Sequence, residues 1–129
     1  MDCGFDQATW PVATVKLFAF VSEVGPRRGG TMVLPGTHRP VDRYQDNWRA
    51  FMRHHPWPSR LLHGVDLPDH GRSLVGETAE LDDVPVQVVE LTGSPGDVVI
   101  THLHVFHART RCTGTAARLM LGKEIHCRA

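Results

Sequence analysis

Short apolar runs, each ended by glycine or proline, are the feature of this 129-residue chain that most constrains its fold. The first run, residues 12–22, is rich in β-branched and aromatic residues and predicts a strand. Its period of two divides its side chains between two faces: Val15, Leu17, Ala19 and Val21 on one, and Lys16, Phe18 and Phe20 on the other. Further short strands are predicted at 31–34, 84–91, 98–101 and 118–125. This pattern is typical of a mainly β barrel or sandwich of the jelly-roll kind.

A helical and loop segment interrupts the strands at about residues 41–83. Val41, Tyr44, Trp48 and Phe51 fall at helical spacing, which predicts a single helix over 41–55 that ends before Pro56. Residues 57–83 contain many Pro, Gly and Asp residues without a sustained period, so they are expected to form a long surface loop. We therefore expect one domain over 1–129 with an insertion at about 41–83.

Composition excludes some classes of partner. Lys and Arg total 14, as do Asp and Glu, and this neutral balance argues against nucleic acid. The sequence shows neither a signal peptide at its start nor an apolar run long enough to cross a bilayer. Its 3 cysteines have no CxxC spacing and suit a reducing compartment. A cytoplasmic location is expected, with no membrane partner.

Residues 94–121 combine groups that suit a binding site. A Pro-Gly-Asp turn precedes an apolar run, followed by the histidines His102, His104 and His107 and then by Arg118. Imidazole is a common ligand of transition metals, and the planar guanidinium suits a carboxylate. An ordinary explanation competes with this one, because a histidine at a strand end usually serves as a hydrogen-bonded structural residue, and Asp97 suits a turn.

Two ordered motifs carry a resemblance to a known family. The first is Gly29-Gly-Thr-Met-Val-Leu-Pro-Gly-Thr-His-Arg39, and the second is Gly96-Asp97 followed by His107 and, eleven residues later, Arg118. Together they resemble the phytanoyl-CoA dioxygenase family of oxygenases that depend on Fe(II) and 2-oxoglutarate. Thr37 stands where the family usually has serine, and Cys112 stands where it commonly has asparagine. The resemblance extends from about Asp2 to Leu121.

The resemblance implies a cupin-like double-stranded β-helix that holds Fe(II) through two histidines and one carboxylate. The positions that these ligands leave open would bind 2-oxoglutarate and O2. His107 would be the distal histidine, and Arg118 would bind the remote carboxylate of 2-oxoglutarate. Other residues are expected nearby: Lys16 and Phe18 in the cosubstrate pocket, and Thr31, His102 and His104 behind the ligands.

The remaining ligands are expected as a His-x-Asp motif shortly before Val12. Asp2 lies at the right distance, but the histidine would precede Met1. Three explanations stay open: the chain is a piece of a longer oxygenase, a minimal relative that binds metal weakly or not at all, or a protein in which His102 or His104 supplies the third ligand. The first implies an incomplete barrel, whose free strand edges favour a homo-oligomer.

The expected function is therefore an Fe(II)- and 2-oxoglutarate-dependent dioxygenase that hydroxylates a small organic substrate with O2. With two ligands in place of three, this chain is expected to be weakly active or inactive. The alternative is a non-catalytic β-barrel module that has lost its metal site and binds a ligand or a partner. The two differ in whether Fe(II) and 2-oxoglutarate together produce succinate.

Overall fold

The computed structural model describes residues 12–44, 47–62, 72–110, 112 and 115–128. Its elements in chain order are β1 (Val12–Phe20), β2 (Thr31–Leu34), α1 (His38–Asp42), α2 (Trp48–His54), α3 (Ser59–Leu62), a 3-10 turn (Arg72–Leu74), β3 (Thr78–Leu81), β4 (Val84–Gln87), β5 (Val89–Glu90), β6 (Val98–His102), β7 (Phe106–Arg109) and β8 (Met120–Arg128). No helix in this described part is long and apolar enough to span a membrane. The cytoplasmic location stays a prediction.

Two three-stranded antiparallel sheets form the framework, with strand orders β6-β1-β8 and β5-β2-β7, and β3 and β4 form a separate hairpin. The two sheets meet through a buried cluster that includes Phe18 and Phe20 of β1 and Val33 of β2. The cluster extends to Val99 of β6 and Met120 of β8. This mainly β architecture confirms the predicted fold class, a cupin-like jelly roll.

β2 is buried on both of its faces. Its second face carries Met32 and Leu34, which pack with Leu74 and Val88 and with the partly buried Trp57. A further cluster joins the helices to the hairpin and contains Val41, Phe51, Leu81, Val84 and Val86. Residues of the predicted insertion therefore cover the outer side of the β5-β2-β7 sheet.

The prediction of one helix over 41–55 was wrong, because the segment forms two helices. α1 begins at His38 and ends at Asp42, and the backbone N–H of Tyr44 then donates to Val41. Asn47 starts α2 anew, since its side-chain oxygen accepts the N–H of Ala50 at 3.0 Å. A side chain that caps a new helix competes with a continuous helical backbone. The end of the helix before Pro56 is confirmed.

The segment 57–83 is more regular than the predicted loop, although residues 63–71 lie outside the described part. It contains α3, the 3-10 turn and β3. β3 pairs with β4 through a tight turn at Asp82 and Asp83, both of which have positive φ (48° and 63°). The strand predicted at 84–91 divides at Val88, because β4 pairs with β3 whereas β5 pairs with β2. β7, the strand of His107, was not predicted as a strand.

Candidate functional site

His107 lies on β7 directly opposite Val33, on the side of its sheet that faces β1. Its Nδ1 lies 3.3 Å from the carbonyl oxygen of Val105. A carbonyl can only accept, so Nδ1 carries the proton and Nε2 keeps a free lone pair. The imidazole also meets the ring of Phe18 edge-on, with centroids 5.5 Å apart. These contacts give His107 the tautomer and the fixed orientation that a metal ligand needs.

Burial lowers the pKa of His107 below its ordinary value of 6.5. The positive charge of Lys16 lowers this pKa further, while the hydrogen bond to Val105 and the charge of Glu124 oppose the shift. The imidazole is therefore neutral at pH 7, and the neutral form is the one that binds a metal ion.

Lys16 and Glu124 place charge on the same inner face. They are directly opposed on β1 and β8, and Lys16 Nζ lies 3.5 Å from Glu124 Oε1. Phe18, two positions further along β1, points the same way and is buried. The structure thus brings Lys16 and Phe18, both predicted at the cosubstrate pocket, close to His107.

Arg118 lies just before β8, two positions before Met120, and is half-buried. Met120 in turn receives a contact from Thr31, whose Oγ1 lies 3.9 Å from the methionine sulfur. Nη1 of Arg118 is buried and has no hydrogen-bond partner within the described residues. An unmatched buried donor costs about 1–3 kcal/mol, and more on a charged group. Arg118 is therefore well suited to an acidic ligand.

A cleft of about 530 Å³ adjoins Arg118. The side chains of Arg28 and Glu23 contribute to its lining, as do Cys112 and the main chain around Ala116 and Ala117. This volume falls within the range of pockets that bind small molecules. The cleft gives Arg118 a neighbouring space of suitable size for a small organic acid.

Thr37, which replaces the family's usual serine, joins the first motif to the strand of His107. Its fully buried hydroxyl donates to the carbonyl of Leu34 at 2.8 Å and accepts the N–H of Phe106 at 3.0 Å. Serine and threonine share this hydroxyl, so the substitution keeps both hydrogen bonds. The turn after β2 therefore fixes the backbone one residue before His107.

The glycine pair of the same motif meets a backbone requirement. A Cβ on Gly30 would lie 2.4 Å from the carbonyl oxygen of Leu91, and Gly29 has a φ of 80°. The N–H of Gly30 donates to the Glu90 carboxylate at 3.2 Å, and Thr110 Oγ1 donates to the Gly30 carbonyl at 2.6 Å. These bonds fix the start of β2, where Thr31 lies on the inner face.

His102 and His104 lie together at the end of β6. The backbone N–H of His104 donates to Nδ1 of His102 at 3.1 Å, and the two rings lie 5.2 Å apart. His38 joins them, with its ring 4.9 Å from that of His102. His102 opposes Val15 and so belongs to the outward face of its sheet. The predicted position of the pair behind the metal ligands remains a prediction.

Asp2, the other predicted metal ligand, lies outside the described residues. Within them, the potential ligands that come together in a group of three are His54, His55 and Asp82, and this group does not include His107. The fit to Fe(II) therefore rests on the tautomer and neutral state of His107, and the fit to 2-oxoglutarate on the buried donor of Arg118. Sequence reasoning missed the group at Asp82 because no short spacing links it to the two histidines.

Comparison with known proteins agrees with the two motifs and with the fold. The family model for phytanoyl-CoA dioxygenase matches residues 3–120, and the chain belongs to this family. Membership implies an oxygenase type of function dependent on Fe(II) and 2-oxoglutarate. No curated protein and no solved structure matches the chain significantly.

Proposed function

We propose that this protein is an Fe(II)- and 2-oxoglutarate-dependent dioxygenase that hydroxylates a small organic substrate with O2. The observation that carries the proposal is the buried, unmatched Nη1 of Arg118 beside a cleft of about 530 Å³. The inner face of the β6-β1-β8 sheet presents Lys16 and Phe18 toward His107. These two features supply a place for an anionic cosubstrate and one for a metal ligand.

Arg118 binds the remote carboxylate of 2-oxoglutarate. Its guanidinium keeps its charge at any physiological pH, and its parallel N–H groups match the two oxygens of a carboxylate. The ligand would supply the acceptor that Nη1 lacks among the described residues. Lys16 lies beside His107 and is held toward Glu124, so it places a second positive charge near the metal end of the cosubstrate.

His107 and Asp2 are the residues that would hold Fe(II). Val105 keeps the proton of His107 on Nδ1, and Phe18 restricts rotation of the ring. When bound, Fe(II) would activate O2, which is the oxidant: one oxygen atom would enter succinate as 2-oxoglutarate loses CO2, and the other would become the hydroxyl group of the product. The buried side chains around His107, Phe18 and Val105 among them, limit the access of water.

Succinate release tests the proposal. The chain is incubated with Fe(II), ascorbate and 2-oxoglutarate, and succinate is measured for the parent protein and its variants. His107→Ala and Arg118→Ala should abolish release, whereas Arg118→Lys should raise the KM for 2-oxoglutarate by about 10- to 100-fold, because lysine replaces a bidentate pair by a point charge. Arg53→Ala, at an exposed arginine of α2, is the matched control and should change nothing.

Because turnover of this chain is expected to be low, binding provides a second measurement. Calorimetric titration of 2-oxoglutarate under nitrogen should show Fe(II)-dependent binding that Arg118→Ala removes. If the parent chain shows neither succinate release nor Fe(II)-dependent binding, the oxygenase proposal fails. The alternative, a non-catalytic β-barrel module, then accounts for the family membership.

A further inference from the structure

His54, His55 and Asp82 form a compact group of metal-ligating side chains away from His107. His54 is the last residue of α2, His55 follows it as the C-cap, and Asp82 begins the turn between β3 and β4. One ligand atom from each of the three lies within 4.8 Å of the others. His55 Nε2 and Asp82 Oδ1 are only 3.0 Å apart. The group thus joins two elements that are distant in sequence.

The hydrophobic packing beneath the group holds it in place. Phe51 of α2 is fully buried in the same cluster as Leu81 and Val84, which flank the turn at Asp82 and Asp83. The ring of His55 packs against that of Phe51, with centroids 5.0 Å apart. Arg43 Nη1 donates to the backbone carbonyl of Asp82 at 2.8 Å. Two of the three ligands therefore have fixed positions before any ion binds.

Tyr44 orients the carboxylate and the imidazole from the side. Its hydroxyl lies 3.4 Å from His55 Nε2. The hydroxyl also hydrogen-bonds the Asp82 carboxylate, to which it can only donate. Metal ligands are commonly held by such hydrogen bonds from neighbouring residues.

We propose that His54, His55 and Asp82 bind a divalent transition-metal ion, with Zn²⁺ as the best-fitting ion. Two imidazoles and one carboxylate form a common three-ligand set for zinc, with water in the fourth position. Bonds of about 2.0–2.1 Å in a tetrahedral site place ligand atoms about 3.4 Å apart. The pair at 3.0 Å is already close to this spacing. His54 is exposed and already lies within reach of the other two ligand atoms.

A simple ion pair between His55 and Asp82 is the competing explanation, and it assigns no role to His54. The bound ion would instead connect all three residues and so hold α2 against the β3–β4 hairpin. Its location also separates it from the proposed iron ligand His107, which lies on β7 between the sheets. The inference is independent of the proposed oxygenase activity and can stand or fail without it.

Zinc binding to the chelator-stripped protein tests the inference, with affinity measured by competition against a zinc-binding dye. We expect one Zn²⁺ per chain in the parent protein and also in His107→Ala, which removes the proposed iron ligand. Asp82→Asn and His55→Gln should each weaken binding by about 100-fold or more, because even residues that only support a ligand contribute about 10- to 100-fold. Tyr44→Phe should weaken it by about 10-fold.

Two controls keep the result interpretable. Asparagine tolerates the positive φ of residue 82, so Asp82→Asn preserves the turn, and circular dichroism checks that each variant folds. His126→Ala removes a histidine of β8 that contacts Thr14 and should leave zinc affinity unchanged. Zn²⁺ should also raise the Tm of the parent protein but not that of Asp82→Asn. Parent-like affinity in Asp82→Asn and His55→Gln, or loss of binding in His107→Ala, overturns the inference.

Discussion

The two faces of the β6-β1-β8 sheet differ in the polarity of their side chains, and the difference is unusual for an antiparallel sheet. The inner face carries the ion pair Lys16–Glu124 beside Phe18 and Phe20. The outer face carries aliphatic side chains, yet Ile100 is 64% exposed and Leu121 is 62% exposed. Such sheets commonly place apolar residues inward and polar residues toward water. Here the inner face carries an ion pair, whereas exposed aliphatic side chains lie on the outer face beside Lys123 and His102.

The inner face therefore combines apolar packing with a charged pair. Its aromatic rings form the contact with the second sheet, while the partly exposed Lys16 and Glu124 lie near His107. Because the two charges are paired, they can lie beside the apolar cluster at a reduced desolvation cost. Hydrophobicity alone does not distinguish the inside of this sheet from the outside.

The largest contrast between the two faces is expected from truncation of a large side chain. Phe20 is 2% exposed and lies against Gly93, where an added Cβ would come within 2.9 Å of the ring. Phe20→Ala should lower the free energy of unfolding by about 3–5 kcal/mol, because it leaves a cavity between the sheets. Leu121→Ala on the outer face should lower it by only about 0.5 kcal/mol. Urea denaturation of both variants measures the difference, and equal losses would show that the outer face is also buried.

The sequence was sufficient to predict the two faces of β1 but not which of them is buried. Alternation separates Lys16, Phe18 and Phe20 from Leu17 and Ala19, as the pairing registers confirm. The choice of the inner face depends on where the second sheet packs, which is a tertiary property. The predicted helix is divided because the Asn47 side chain caps a new helix. The spacing of apolar residues, from which the single helix was predicted, does not reveal such a cap.

The candidate site was predictable only where motifs fix spacing. The roles predicted for His107 and Arg118 come from two ordered motifs, and the buried Nη1 is an addition that only the structure reveals. Asp82 meets His54 and His55 through the packing of a hairpin on a helix, so no sequence interval marks the group. Sequence patterns do not predict contacts between distant segments, so this group of residues could be found only in the structure.

The pH dependence of stability offers the next contrast, because the inner face contacts His107, whose pKa is lowered by burial. The unfolded chain takes up a proton on His107 near pH 6.5, whereas the folded chain takes it up only at lower pH. Unfolding therefore becomes easier as the pH falls below about 6.5. In the metal-free protein, His107→Gln should flatten this dependence. Urea midpoints at several pH values check it, and an unchanged slope would contradict a buried neutral imidazole.

A smaller effect is expected from the ion pair on the inner face. Lys16 and Glu124 are both partly exposed, so water screens their attraction. A double-mutant cycle with Lys16→Met and Glu124→Gln should give a coupling energy of about 0.2–1 kcal/mol. Lys16→Met should also weaken 2-oxoglutarate binding, because Lys16 is proposed to help hold the acid. Glu124→Gln should leave this binding unchanged. Equal loss of binding in Glu124→Gln would indicate that the pair acts by positioning Lys16.

The smallest effect is expected on the outer face, where neighbouring residues of β6 allow an isosteric comparison. Val98 is 50% exposed, whereas Val99 packs on the buried cluster between the sheets. Threonine matches valine in shape and strand propensity, so the substitution changes mainly the solvation of one group. Val98→Thr should change stability by no more than about 0.5 kcal/mol. Val99→Thr should cost about 1 kcal/mol or more, because it buries a hydroxyl. A reversed order in thermal and urea unfolding would mean that the inner and outer faces have been assigned the wrong way round.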